Sequence, residues 1–291
     1  MSPCTCGCKV NLGLAITGRR ADGYHELDSF FYPLPKPSDT LLIEESPRPG
    51  LTIETDCEAI DPQNNTLTRA YDCLCKTLRL PNFRIGLKKG IPAGAGLGGG
   101  SSDAASFLRY LGAHYSIKET ELHEAAKKTG ADVPFFLANI PARVRGIGER
   151  IDAAQLSCMP CILLLVYPGY GIPTGPAFAK YDAARGTERK HYALTRPSFA
   201  HTLSLSQKEG MNRRVIPWSL NNDLEDVVLS EHADLVALKS DLFTQTALAV
   251  GMSGSGASLY ALYPQESETE AKRMADRMQK RGYAAWVNKL A

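Results

Sequence analysis

The residues best suited to chemistry fall in one run, Lys89 to Ala105, K-G-I-P-A-G-A-G-L-G-G-G-S-S-D-A-A. Five glycines (Gly94, Gly96, Gly98, Gly99, Gly100) stand within seven residues. Such a loop can turn several backbone N–H groups toward one point, and a helix N-terminus behind it adds a dipole that favours an anion. Ser101 and Ser102 bring hydroxyls suited to an N-cap, a phosphate oxygen or a hydrated metal ion. Asp103 falls in what the pattern makes the first helical turn, where a carboxylate suits the dipole. Together Pro92, Ala93, Gly94, Ala95, Gly96, Leu97, Gly98, Gly99, Gly100, Ser101 and Ser102 describe a phosphate cradle. A plain surface turn is a poor alternative, because so many glycines carry a large entropic cost.

The elements that must hold this loop are legible on both sides. Before it, Phe83, Ile85 and Leu87 alternate with Arg84, Gly86 and Lys88, the pattern of a half-buried strand. After it, Ala104, Ala105, Phe107, Leu108 and Leu111 recur at helical spacing, and Gly112 stands where a helix would stop. Two other loops of this kind fit less well. The nucleotide loop G-x-x-x-x-G-K-[ST] is excluded, since no lysine follows the glycines. The dinucleotide fingerprint G-x-G-x-x-G is present as Gly94, Gly96 and Gly99. The acidic residues about 20 positions on, Glu119 and Glu121, lie in a polar run rather than after a second apolar strand.

Two more stretches carry reactive residue types. In K-V-N-L-G-L-A, Val10, Leu12 and Leu14 alternate with Lys9, Asn11 and Gly13, so Lys9 and Asn11 share one face of a strand. In G-A-D-V-P-F-F, Asp132 sits among apolar neighbours, where a carboxylate is costly unless paired or used. The residue pattern allows equally that it is an N-cap, since Asp followed by x-Pro often opens a helix. Tyr24, His25, Phe30, Phe31 and Tyr32 crowd aromatics after the turn A-D-G, as core or as cover for a flat ring.

The string P-A-G-A-G-L-G-G-G-S-S-D-A-A resembles the second motif of the GHMP kinases, and G-M-S-G-S-G-A-S (Gly251 to Ser258) resembles their third. The opening K-V-N-L … G-R-R-A-D-G-Y-H-E-L and the string G-A-D-V-P-F-F resemble the branch of that family that phosphorylates a cytidine-diphosphate-linked methylerythritol. The resemblance covers nearly the whole chain. It implies a two-layer α/β (α+β) fold, with an ATP-binding domain over 1–150, a C-terminal domain over 151–291 and the active site in the cleft between them. It implies ATP as phosphoryl donor with Mg²⁺ bridging its phosphates, and no dedicated protein metal site. Asp132 would accept or orient the substrate hydroxyl, Lys9 would keep Asp132 ionised and offset phosphoryl charge, and Asn11 would position the pair. Asn65, in N-T-L at a helix start, would lie near adenine. Tyr24, His25, Thr174 and Phe178 would bind the cytidine substrate.

The bulk properties agree. The chain has 291 residues, 44% hydrophobic and 22% charged, with a formal net charge of +2. Near balance, nothing points to nucleic acid or a membrane surface. The longest apolar run, Cys161 to Tyr167, is strand-sized, and the N-terminus lacks the regions of a signal peptide, so a cytoplasmic enzyme is expected. Of eight cysteines, Cys4, Cys6 and Cys8 form C-x-C-x-C, and Cys158 and Cys161 form C-x-x-C; their spacing favours free thiols over zinc. Residues 182–214 are polar and poorly patterned and give no functional reading.

Overall fold

A long hairpin opens the structure, a computed structural model that describes residues 3–157, 161–184, 194–195, 200, 203–209 and 212–291. Cys158 and much of the polar stretch 182–214 lie outside the described residues. Strands β1 (Cys4–Arg19) and β2 (His25–Glu45) run antiparallel, with Lys9 opposite Pro33 and Asn11 opposite Phe31. Val10 and Leu12 enter the core while Lys9 and Asn11 take the other face, as alternation requires. At Gly13 the alternation breaks. One extra residue lies between Asn11 and Leu14 in the register, and Gly13 takes a φ of 87°. This bulge moves Leu14 from the Val10 face to the Lys9 face, where it lines the same cleft.

Next come β3 (Leu51–Thr55), α1 (Thr66–Cys75), β4 (Phe83–Lys88), α2 (Gly99–His114), α3 (Glu119–Thr129), α4 (Val133–Ala138), β5 (Ala142–Gly146) and β6 (Arg150–Leu156). β2 pairs antiparallel with β4 and β5, and β3 pairs parallel with β4. Beyond β6 the sheet continues through β9 (Ser204–Glu209) and β10 (Asn212–Pro217), which makes it eight-stranded. A second sheet of five strands has the order β13-β7-β12-β11-β8, where β7 is Cys161–Tyr167, β8 Leu194–Thr195, β11 Ala249–Met252, β12 Leu259–Pro264 and β13 Ala284–Leu290. Helices α5 (Thr174–Ala183), α6 (Glu225–Leu229), α7 (Ala233–Leu242) and α8 (Glu268–Lys280) belong to this half. The expected mixed α/β fold is present.

Three apolar clusters hold these layers. One lies among α1 to α4 and the first sheet, a second among the helices of the second half. The third is shared: Val10, Leu12 and Phe30 of the first sheet meet Leu163, Leu165 and Tyr260 of the second. Burying each such side chain stabilises by about 1.5–3 kcal/mol. Apolar packing therefore fixes how the two halves meet.

Three sequence expectations about α2 are corrected. The helix starts at Gly99, so Ser101 and Ser102 lie inside it, and its N-cap is Gly98 at φ 71° with no side-chain cap. Asp103 is accordingly past the first turn and pairs with Lys89 instead of the dipole. Gly112 does not end the helix, which runs to His114. It is small because α3 crosses there: a Cβ at Gly112 would stand 2.6 Å from Leu122 Cδ1. Gly112→Val should thus overpack this contact and lower stability by about 1–3 kcal/mol in urea denaturation. Leu122→Ala should cost less in that background than in the native chain. Additive losses would mean that the two residues do not share the contact.

Candidate active site

Lys9, Asn11 and Asp132 meet at the mouth of the glycine loop, in a cleft of about 440 Å³. Lys9 is 5% exposed. Its ammonium donates to Asn11 Oδ1, lies 3.7 Å from Asp132 Oδ2 and stands 4.6 Å from the centre of the Phe31 ring. Burial pushes the Lys9 pKa down, and the Asp132 charge only partly opposes this. Asp132 occupies the N-cap position of α4, yet its side chain makes no cap hydrogen bond. Its carboxylate serves the cleft.

The loop itself is built by left-handed glycines. Gly94, Gly96 and Gly98 have φ of 68°, 76° and 71°, conformations that L side chains rarely adopt. The helical ladder of α2 begins with the Ser102 N–H donating to the Gly98 carbonyl at 2.9 Å. The N–H groups of Gly99, Gly100 and Ser101 precede that ladder, and all three residues line the cleft. Such a turn suits an anion. The absence of side chains at Gly98 and Gly99 has a further reason. A Cβ at Gly98 would stand 2.7 Å from the Phe136 ring, and one at Gly99 3.0 Å from Ile91. Protein, as well as ligand, needs that space.

The other expected residues divide. Thr174 and Phe178 line the cleft with Pro92 to Ser101. Ser102 is buried within α2 and does not line it. Asn65 caps α1, accepting from the Thr68 N–H at 3.0 Å and donating to the Asp61 carbonyl at 2.7 Å. Its neighbour Thr66 lines the cleft and donates to the Gly100 carbonyl at 2.6 Å. Tyr24 stands 63% exposed on the first turn. His25 stacks on Phe178 with centroids 4.7 Å apart, and its Nε2 lies 2.8 Å from Asp182 Oδ1. Arg143 is held by the Asp28 carboxylate and Arg145 by Asp152, so neither basic residue of A-R-V-R belongs to the cleft.

Several supporting residues were not found by sequence reasoning. The Ser253 hydroxyl receives the Asn11 N–H at 3.1 Å and donates to the Gly96 carbonyl at 3.1 Å. Asn222 Nδ2 donates to the carbonyls of Met252 (2.9 Å) and Gly254 (2.7 Å), while its Oδ1 accepts from Leu224 N–H at 3.0 Å. The Ser29 hydroxyl receives Asn11 Nδ2 at 3.0 Å. Asp39, fully buried, pairs with Lys89, which lines the cleft. A buried amide or hydroxyl of this kind has no local pattern; only the glycines it contacts hinted at it. Thr174 Oγ1 lies 3.1 Å from Ser255 Oγ, which ties the I-P-T segment (Ile172, Pro173, Thr174) to the third motif.

Residues 65–139 match the GHMP kinases N terminal domain, and residues 205–284 match the GHMP kinases C terminal. A 4-diphosphocytidyl-2-C-methyl-D-erythritol kinase of Nitratidesulfovibrio vulgaris is 41% identical over 269 residues, 91% of each chain. A protein of the same name from Lawsonia intracellularis is 38% identical, over 91% of this chain and 89% of its own. A crystal structure of 4-(cytidine 5'-diphospho)-2C-methyl-D-erythritol kinase aligns at a TM-score of 0.73 and 30% identity, covering 100% of this chain and 99% of that one. Homoserine kinase from Cytophaga hutchinsonii, at 13% identity and a TM-score of 0.62, shares the fold; its alignment covers 99% and 95%.

The brace at Asn222 is testable without any ligand. Asn222→Ala leaves two buried carbonyls without their donor, so stability should fall by about 1–3 kcal/mol. Amide exchange over residues 252–256 should accelerate. Unchanged exchange there would show that the third loop holds itself.

Proposed function

The chain belongs to the GHMP kinases, and from that premise we propose that it transfers the γ-phosphoryl group of ATP to the C2 hydroxyl of 4-diphosphocytidyl-2-C-methyl-D-erythritol, giving the 2-phosphate and ADP. The observation that carries the reading is the Lys9–Asp132 pair beside the open first turn of α2, in one cleft. A non-catalytic nucleotide sensor has no need of that pair.

Phosphoryl transfer asks mainly for positioning and charge stabilisation. The N–H groups of Gly99, Gly100 and Ser101 suit the phosphates of ATP, and Asp132 is the one acidic side chain lining the cleft among the described residues. Mg²⁺ typically keeps one or two protein ligands beside substrate phosphates, and the Ser101 hydroxyl fits that part. When bound, Mg²⁺ neutralises phosphate charge. Asp132 takes the proton of the C2 hydroxyl, or orients it, as that oxygen bonds to the γ-phosphorus and the bridging oxygen leaves on ADP. Lys9 pairs with Asp132 and meets the charge that develops on the transferring group. Asn11 fixes the lysine head. Asn65 contributes by capping the helix that brings Thr66 to the cleft. We place the enzyme in the cytoplasm, where ATP is supplied.

For the cytidine end, Phe178 and Tyr24 would cover the two faces of the base, with stacking of about 1–3 kcal/mol per base. His25, whose ring stacks on Phe178, would read the polar edge of the base through its backbone. Thr174 would hold the segment that carries Phe178. A site matched to the amine of cytosine rejects the carbonyl of uracil.

ADP release from Mg·ATP should therefore occur with the cytidine-linked polyol and be weak with its uridine analogue, mevalonate, galactose or homoserine. Phe178→Ala should raise KM for the polyol and leave KM for ATP nearly unchanged. Equal use of the uridine analogue would remove the base assignment. Asp132→Asn should lower kcat by about 10²–10⁴-fold. The pH profile gives a second check. Burial lowers the Lys9 pKa in the unliganded chain, so the alkaline limb of kcat/KM should fall below the 10.5 of an ordinary lysine. Because the Asp132 charge opposes that shift, residual activity of Asp132→Asn should lose its limb at still lower pH. A limb that does not move would show that Lys9 does not set it.

A further inference from the structure

Lys89 heads the phosphate loop, where a lysine invites reading as a phosphate ligand. Lys89 lines the cleft, but its ammonium is already committed to two carboxylates. Its ammonium donates to Asp39 Oδ2 and, at 3.0 Å, to Asp103 Oδ2, and its side chain is 10% exposed. Asp39 is fully buried. Its second oxygen, Oδ1, accepts from the N–H of Gly90 at 2.7 Å and of Ile91 at 2.8 Å. One carboxylate thus fixes two consecutive peptide units and the side chain of the residue before them. Those peptides lead directly into Pro92, where the cradle begins. The cluster also reaches the start of α2: a Cβ at Gly99 would stand 3.0 Å from Ile91 Cγ2 and 3.3 Å from Asp39 Oδ2.

We infer that Asp39 is a positioning residue for the ATP site, setting the entry of the phosphate loop and the first turn of α2, with Lys89 as its counter-ion and not a phosphate ligand. This rests on the ATP-binding reading above. Charge supports the assignment. Two carboxylates under a phosphate site would repel the ligand unless neutralised. Lys89 donates to both, and burial pushes the Asp103 carboxyl up to about 7, so the two do not carry two full negative charges at neutral pH. Among the described residues Asp103 Oδ1 has no hydrogen-bond partner. The amides facing the phosphates therefore work over a nearly neutral floor.

The test compares ATP affinity, measured as Kd without polyol, with steady-state constants in folded variants. Asp39→Asn should raise Kd and KM for ATP by about 10–100-fold, with kcat changed by less than about threefold and KM for the polyol unchanged. Asp103→Asn keeps an oxygen for Lys89 and the amide contacts of Asp39, so its effect should be smaller. The losses in Lys89→Met and Asp39→Asn should not add in the double variant, because each removes the same cluster. Additive losses would make Lys89 a direct phosphate ligand and overturn the assignment. Equal decline of every constant together with stability would also overturn it, as a purely structural role. Should Asp39→Asn not fold, Lys89→Met still decides: amide exchange at Gly90 and Ile91 should accelerate as ATP affinity falls, and lost affinity without faster exchange there overturns the inference. A native chain that binds ATP without phosphorylating the cytidine polyol would remove the substrate assignment alone.

Discussion

One hydroxyl joins the three segments on which the site depends. Ser253, fully buried, takes the N–H of Asn11 and gives its proton to the carbonyl of Gly96. Strand β1, the phosphate loop and the loop after β11 come from distant parts of the chain, and this side chain holds them in one arrangement. The neighbouring glycines follow from it. A Cβ at Gly96 would stand 2.3 Å from the Ser253 carbonyl, and one at Gly254 would stand 3.3 Å from Asn11 Oδ1. Both glycines also have positive φ. The two loops interlock because Gly96 and Gly254 leave no side chain between their backbones, so that the Ser253 hydroxyl can bridge them.

Two buried lysines in this region show how electrostatics separates a structural cation from a working one. For Lys89, burial disfavours the charge, but Asp103 and Asp39 together outweigh it and the pKa rises. For Lys9, burial prevails over the single carboxylate of Asp132 and the pKa falls. Lys89 is satisfied before any ligand arrives. Lys9 has one carboxylate at 3.7 Å, an amide oxygen and the face of Phe31, so added negative charge still stabilises it. A phosphoryl group in transfer supplies that charge. The cost of burying an under-compensated ammonium is met by the core around β1, which is packed on both faces from Cys8 to Leu14.

The sequence made the local parts of this arrangement readable. Alternation set Lys9 and Asn11 on one face, the glycine run marked the anion site, and Asp132 stood out as a carboxylate among apolar neighbours. What it hid were effects of residues far apart in the chain. The start of α2 at Gly99 depends on Ile91 and Phe136 filling the space beside two glycines. The continuation through Gly112 depends on Leu122 of another helix. Asp39 lies in P-S-D-T, which reads as a polar turn, yet it sits inside β2 with both oxygens committed. Strands β9 and β10 complete the first sheet from beyond residue 150, a pairing no local pattern announces.

The same glycine letters also show why a motif must be judged by its contacts. In a dinucleotide fold, G-x-G-x-x-G follows a strand of a parallel sheet and opens a crossover helix to the next parallel strand. Here β4 is parallel to β3 on one side and antiparallel to β2 on the other, and α2 leads into further helices. Gly96 makes room for the Ser253 carbonyl, and Gly99 makes room for Ile91 and Asp39. Two of the three fingerprint glycines are thus explained by neighbours that a dinucleotide fold does not contain. The third, Gly94, faces the Gly171 backbone of the I-P-T segment. Two letters of the apparent fingerprint are therefore set by a close approach within this fold and Gly94 by its positive φ, and what remains suited to an anion is the first turn of α2.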